Sequence, residues 1–449
     1  MPILVPKPKS GTTVATAEAL GQDIAVPEMV PRNCRLRTYQ KKTVRSLDID
    51  DEVIAYASPD STYAVTKRLM DQATKSILIG IYDFSAAHMR ELVLAALARG
   101  VKVSLMLDID NDAESALFDE LAGLGVTGVP APSCANDTVR VFRSSHEKVI
   151  VIDGQWCLVQ SGNYSDNSIP LNVTDGGDRS NFRTGNRDTG LAVRSKKLAK
   201  FFTGILESDM ELVTGAPQAT RRFPEADVFA VEAAPKKIPA QLFASKAFRL
   251  RDPLTVTPVL SPDNYMSVVP KLLRKAKTFV LIEQQYIKAK QPKIRELLEA
   301  IKDARADNPQ LDVRIVLGKI FNKRELPKEE ANLKLLADDF GLKLGKHIRY
   351  INTDRFVHCH NKLILIDGGG VLVSSQNWSD AAVSENREAG LWLQHAGIAG
   401  YFKDIFESDW KSAFKTPATG VAGVPETVMP EALSAGGFVR VAFADYQEV

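Results

Sequence analysis

Short apolar runs alternate along this chain with longer stretches whose apolar residues recur every three or four positions. Thr74 to Tyr82 ends in a run of strand character, Met89 to Arg99 has helical periodicity, and Val101 to Leu107 is again apolar and β-branched. The same order returns in Phe279 to Ile282, Ile294 to Ala304 and Val313 to Leu317. Such alternation predicts an α/β layered architecture, a sheet covered by helices, built twice.

The two series belong to a duplication. Ser58-Pro59-Asp60 and Ala73 are answered by Ser261-Pro262-Asp263 and Ala276, and Asn186-Arg187-Asp188 by Asn386-Arg387-Glu388. Glu207-Ser208-Asp209 returns as Glu407-Ser408-Asp409. Length alone would allow about three domains, whereas the repeat reduces the expectation to two, each large enough for its own core. The expected divisions are an N-terminal extension 1–49, a first domain 50–213, a linker 214–254, a second domain 255–415 and a C-terminal tail 416–449.

Within the repeat lies a doubled polar constellation. His146, Lys148, Asp153 and Asn163 recur as His360, Lys362, Asp367 and Asn377, each 214 residues after its counterpart, in a chain with six histidines. At ordinary residue frequencies an accidental match is on the order of one in a million. Lys148 to Asp153 reads as a strand, Asp153-Gly154 as a tight turn and Trp156 to Ser161 as the return strand. A two-residue loop at Gly154-Gln155 would set His146 opposite Asn163 and Lys148 opposite Ser161, and Gly368-Gly369 would set His360 opposite Asn377. Alternation then gathers His, Lys and Asn on one face and turns Asp153 and Asp367 away, to a structural task.

Such a face suits a phosphodiester. Lysine and asparagine neutralise and orient its non-bridging oxygens, and imidazole is a competent nucleophile and acid near neutral pH. One histidine from each half could attack phosphorus while the other protonates the leaving oxygen. Asp188 and Glu388, each following an Asn-Arg pair, are candidates to hold the histidine rings.

These residues resemble the phospholipase D superfamily, whose HxKxxxxD signature occurs as His146, Lys148, Asp153 and as His360, Lys362, Asp367. Ser161-Gly162-Asn163, Ser374-Ser375-Gln376-Asn377 and Glu283-Gln284-Gln285-Tyr286 are similar to flanking segments of that family. The resemblance implies two phospholipase D-like α/β domains related by pseudo-twofold symmetry, each a mixed sheet flanked by helices, with one site at their interface. It further implies a phosphohistidine intermediate with His146 as nucleophile and His360 as acid, and no required cofactor or metal. The expected substrate is a phospholipid met at a membrane surface, hydrolysed or passed to an alcohol; the alternative is DNA or RNA cut by the same chemistry. Because both half-sites lie in one chain, a monomer is expected to be active.

Composition adds bounds. With 25% charged residues and a net charge of +2, the chain reads as soluble, and its balance points neither toward nor away from a polyanionic partner. No run approaches the roughly 18 apolar residues of a membrane span, and the first residues lack a secretory pattern, so a soluble, cytoplasmic product is expected, compatible with export by other signals. Cys34, Cys134, Cys157 and Cys359 have no metal-ligand spacing and read as mostly free thiols. The linker is the most basic stretch, with Arg221, Arg222, Lys236, Lys237, Lys246, Arg249 and Arg251. His88, His347 and His395 read as packing or surface residues, and Tyr82 and Tyr286 as structural. Between Asn163 and Arg187 the first half carries 14 residues more than the second, within Ser165 to Gly185, a loop expected to shape substrate entry.

Overall fold

The computed structural model describes residues 34–136, 138–175, 185–214, 242–321 and 325–418, together with a short parallel ladder between Ile24–Ala25 and Val441–Ala442. The first half runs β1 (Leu47–Ile49), β2 (Glu52–Ser58), α1 (Thr62–Asp71), β3 (Ser76–Ile81), α2 (Ala87–Ala98), β4 (Lys102–Leu107), α3 (Asp112–Gly123), β5 (Thr127–Pro130), β6 (Val149–Ile152), β7 (Trp156–Gln160), β8 (Asp188–Arg194) and α4 (Lys196–Thr214). The second runs β9 (Lys246–Arg249), β10 (Leu254–Ser261), α5 (Tyr265–Arg274), β11 (Phe279–Gln284), α6 (Pro292–Asp307), β12 (Asp312–Leu317), α7 (Leu326–Phe340), β13 (Ile348–Tyr350), β14 (Lys362–Ile366), β15 (Gly370–Ser374), α8 (Asp380–Ser384), β16 (Glu388–Gln394) and α9 (Ala396–Ser412).

Two eight-stranded mixed sheets result, ordered β9-β2-β8-β7-β6-β3-β4-β5 and β13-β12-β11-β14-β15-β16-β10-β1. Each exchanges an edge strand with the other half. β1, from the expected N-terminal extension, pairs with β10 of the second sheet, and β9, from the expected linker, pairs with β2 of the first. Of the linker's basic residues, only Lys246, Arg249 and Arg251 lie among the described residues.

The apolar runs are continuous because both sheet faces are covered. Val149 and Val151 of β6 face the same core as Leu363 and Leu365 of β14, packed with Phe202 of α4 and Phe402 of α9. The alternate residues face outward cores, Ile150 and Ile152 in the first half and Ile364 and Ile366 in the second. The central core thus joins the two halves, and each half has a second core of its own.

The hairpins correct the expected register by one residue. Asp153 itself is left-handed (φ 52°), as is Gly154 (φ 62°), and Gln155 N donates to Ile152 O across them. Aspartate tolerates this conformation better than most side chains, so the turn begins one residue earlier than expected. Ile152 therefore pairs with Trp156, and Ile366 with Gly370 after Asp367 (φ 54°). Lys148 thus lies opposite Gln160, whose N–H donates to the Lys148 carbonyl, and β7 ends before Asn163.

The cysteines also depart from expectation. Cys34 and Cys134 form a disulfide that ties the segment before β1 to the loop after β5, while Cys157 and Cys359 are free and buried. Their separation of 100 residues hid the pairing, because only the tertiary fold brings the two segments together.

Candidate active site at the domain interface

Each histidine is held by the opposite half. His146 N donates to Arg387 O (2.7 Å) and His360 N to Arg187 O (3.0 Å), so the residue before each signature strand is zipped to the residue entering β16 or β8. The next residue along supplies a carboxylate. His146 Nδ1 meets Glu388 Oε2 at 2.9 Å, and His360 Nδ1 meets Asp188 Oδ1 at 3.0 Å. This fixes both rings through Nδ1. The lysines occupy matching positions, with Lys148 Nζ donating to His146 O and Lys362 Nζ to His360 O, both at 2.6 Å. Lys362 Nζ also lies 3.0 Å from His360 Nε2.

The two carboxylates differ electrostatically. Burial raises Asp188, but the charge and hydrogen bond of His360, then Lys362 and Ser161, outweigh it and hold the group below the usual carboxylate range. Burial wins at Glu388 and pushes it well above that range, against Lys148, the hydrogen bonds of Ser375 and Asn386, and Lys362. Lys362 acts on both carboxylates, which places the two half-sites in one electrostatic environment. Ser161 Oγ donates to Asp188 Oδ1 (2.7 Å) and Ser375 Oγ to Glu388 Oε2 (2.5 Å), giving the serines after β7 and β15 matching tasks.

Asn163 and Asn377 are buried just beyond β7 and β15, and Asn163 Oδ1 meets no hydrogen-bond partner among the described residues. Asp153 and Asp367 lie at the far ends of the signature strands from the histidines. Asp153 accepts from the backbone N–H groups of Thr74, Lys75 and Ser76 (2.7–2.9 Å), and Asp367 from those of Lys277, Thr278 and Phe279. Partial burial raises both carboxyls, and these donors bring them below the usual range. Tyr82 packs its ring edgewise on His146 (5.0 Å between centroids) and donates to Asp110 (2.5 Å). His358 is buried, with Nδ1 accepting from Lys319 N, and its carbonyl accepts from Arg187 N. Of the extra first-half loop, 176–184 lie outside the described residues, and its described base is tied down by Asn186 N to Asn167 O.

Two arginines missed as site residues unify the repeated triplets. Arg187 donates to Asp60 of its own half and to Asp409 of the other, and Arg387 donates to Asp263 and Asp209 in the same crossed manner. All six side chains are buried, so each arginine is a fully paired charge in the interface. The signal was present as the twice-repeated Ser-Pro-Asp, Asn-Arg and Glu-Ser-Asp elements. Among the described residues, no cluster of three or more His, Cys, Asp or Glu side chains could hold a metal ion, and no helix is long and apolar enough to cross a membrane.

Comparison with known proteins bears on the family and the fold. A family model described as "Cardiolipin synthase, PLD-like domain" matches residues 66–210 and again 269–410. No curated protein matches the chain. Among solved structures, phosphatidylserine synthase from Haemophilus influenzae is similar in fold (TM-score 0.57, 14% identity), covering 83% of this chain and 89% of that one. Polyphosphate kinase from Porphyromonas gingivalis (TM-score 0.50, 14% identity) covers 85% of this chain and 54% of its own. A phospholipase D family member, Nuc, from Salmonella typhimurium (TM-score 0.30, 20% identity) covers 37% of this chain and 98% of its own. With the family model matched once in each half, around one HxKxxxxD signature apiece, the chain belongs to the phospholipase D superfamily and carries its phosphodiester chemistry.

Proposed function

We propose that this protein cleaves the phosphodiester of a phospholipid, releasing or exchanging the headgroup through a phosphohistidine. The observation that carries the reading is the crossed pair of contacts, Glu388 on His146 and Asp188 on His360, which makes each half-site depend on the other. His146 Nε2 attacks phosphorus, the bond to the headgroup oxygen breaks, and His360 delivers a proton from Nε2 to that oxygen. Lys148, Lys362, Asn163 and Asn377 bind the non-bridging oxygens. In the second step His360 takes a proton from water, or from an acceptor alcohol, as its oxygen attacks phosphorus and the P–N bond breaks. The products are phosphatidate, or a new phospholipid, and a regenerated imidazole.

The unequal carboxylates support the division of roles. Asp188, held below the usual carboxylate range, sets a negative charge against Nδ1 of His360, whereas burial disfavours the charge on Glu388 beside His146. Substrate phosphate draws the Lys362 ammonium away from His360 Nε2, freeing that nitrogen for the proton. The cardiolipin synthase description of the matching family favours a phospholipid over a nucleic acid.

The test offers purified protein, with EDTA present, labelled phosphatidylcholine, phosphatidylethanolamine and phosphatidylglycerol beside single- and double-stranded DNA and RNA. Headgroup release or exchange without nucleic-acid cleavage is expected. Cleavage of nucleic acid alone would reject the lipid reading and install a nuclease.

A further inference from the structure

Behind His360 runs a hydrogen-bonded chain that the reaction scheme does not use. Thr189 Oγ1 donates to Asn361 Oδ1 (2.7 Å), and Asn361 Nδ2 donates to Glu283 Oε2 (2.8 Å). Glu283 lies beside Asp409, close enough for the two carboxyls to share a proton, and Asp409 accepts from Arg187 Nε at 2.6 Å. The consecutive residues Arg187, Asp188 and Thr189 are therefore held by Asp409, His360 and Asn361 of the other half. Glu283 is the carboxyl that joins the two ends of this grip, and it is wholly buried.

The first half builds the same feature from different strands. Gly80 stands where the second half has Glu283, and Glu147 stands where it has Asn361, between the signature His and Lys. A Cβ placed on Gly80 would meet Leu206 Cδ2 at 2.5 Å and Glu147 Oε1 at 3.0 Å, so Leu206 and the Glu147 carboxyl together fill the room that a side chain from position 80 would enter. Ser145 Oγ donates to it (3.0 Å), and Asp209 and Arg387 act on it as Asp409 and Arg187 act on Glu283. One buried carboxyl thus backs each histidine strand, delivered from β11 in one half and from the signature segment itself in the other.

We propose that Glu283 is a positioning residue for the reaction, acting through Asn361 and the Arg187–Asp409 pair to hold Asp188 against His360. The task calls for a neutral acid, which donates to Asp409 while accepting from Asn361. Burial, with the nearby Asp409 charge, raises Glu283 to about 8 against the pull of Arg187, and burial raises Glu147 to about 7. The groups acting on Glu283 are Asp409 of α9, Arg187 before β8 and Asn361 before β14, with the Cys359 thiol also close; those on Glu147 are Asp209 of α4, Arg387 before β16 and Ser145. Ionisation of Glu283 removes the donor to Asp409 and sets a second negative charge against it, which loosens the grip on Asp188.

The inference rests on the two-histidine reading, so its test uses the full chain and bis(p-nitrophenyl) phosphate, a diester independent of lipid identity. E283Q keeps a donor toward Asp409 and an acceptor toward Asn361 but cannot ionise. Its alkaline limb of kcat is expected to lie higher than that of the parent by about one pH unit or more. N361A is expected to lower kcat roughly tenfold with KM little changed, the pattern of an interaction realised only in the transition state. A limb unmoved in E283Q, or parental kcat in N361A, would overturn the proposal. Parental turnover in H360A would instead strike the two-histidine reading beneath it.

Discussion

The two halves share strands, helices, signature hairpins and arginine clamps, yet they hold their histidines differently. Asp188 is kept ionised against His360, whereas Glu388 is pushed toward its protonated form beside His146. Behind them, Asn361 and Glu283 in one half answer Glu147 and Gly80 in the other. The clamps are sealed by unlike segments too. Tyr39 accepts from Arg387 and donates to Asp263, while Phe243 N donates to Asp60 beside Arg187. The difference teaches that a duplicated scaffold supplies two imidazoles in equivalent places, each then faced by a carboxylate of different electrostatic character. The proposed two-step transfer would use that difference, with one ring beginning as a base and the other as an acid.

The strongest way to break this comparison is to remove either ring. H146A and H360A are each expected to lose at least about 10³-fold in kcat, since neither half-site completes a turnover alone. Trapped phosphate should be found on His146, and labelling of His360 instead would reverse the assignment of roles. The clamps probe the equivalence of the scaffold. R187A leaves Asp60 and Asp409 buried and unpaired, and an expected cost of about 3–5 kcal/mol in denaturant unfolding follows. R387A should cost a similar amount, and a large disparity would show that the clamps bear unequal load.

The carboxylates sharpen the comparison further. D188N is expected to lower kcat by roughly 10²-fold, because a carboxylate held below the usual range is lost, and E388Q by only about tenfold, because burial already disfavours the charge that the amide removes. Equal losses would remove the proposed electrostatic asymmetry. The smallest effect is on stability against pH. Glu283, Glu147 and Asp108 are raised in the fold to about 8, 7 and 7, so the native state holds protons that the unfolded chain releases. Their contribution is full below the unfolded carboxyl range and is lost as pH rises through 7 to 8. Asp188, Asp153 and Asp367 are lowered, and their contribution is lost in acid. Melting temperatures from pH 5 to 9 should therefore fall on the alkaline side, and less steeply in E283Q.

Much of this is legible in the sequence. The apolar alternation foretold the layered sheets, and the repeated signature located both histidines and lysines. Asp188 and Glu388 could be nominated as ring partners from their place after Asn-Arg, but the crossing of partners between halves could not. The hairpin register was misjudged by one because the positive φ of Asp153 is a conformational choice that the letters Asp-Gly leave open. The Cys34–Cys134 disulfide and the crossed arginine clamps likewise join residues far apart in the chain.

By itself, then, the sequence determined the duplication, the α/β class and the inventory of candidate site side chains, because strand and helix periodicity and short motifs are local properties. Only the tertiary structure decided which carboxylate meets which histidine, and which of those carboxylates is raised and which lowered from its ordinary range. Both depend on burial and on charges brought together from opposite halves, and long-range packing alone sets those.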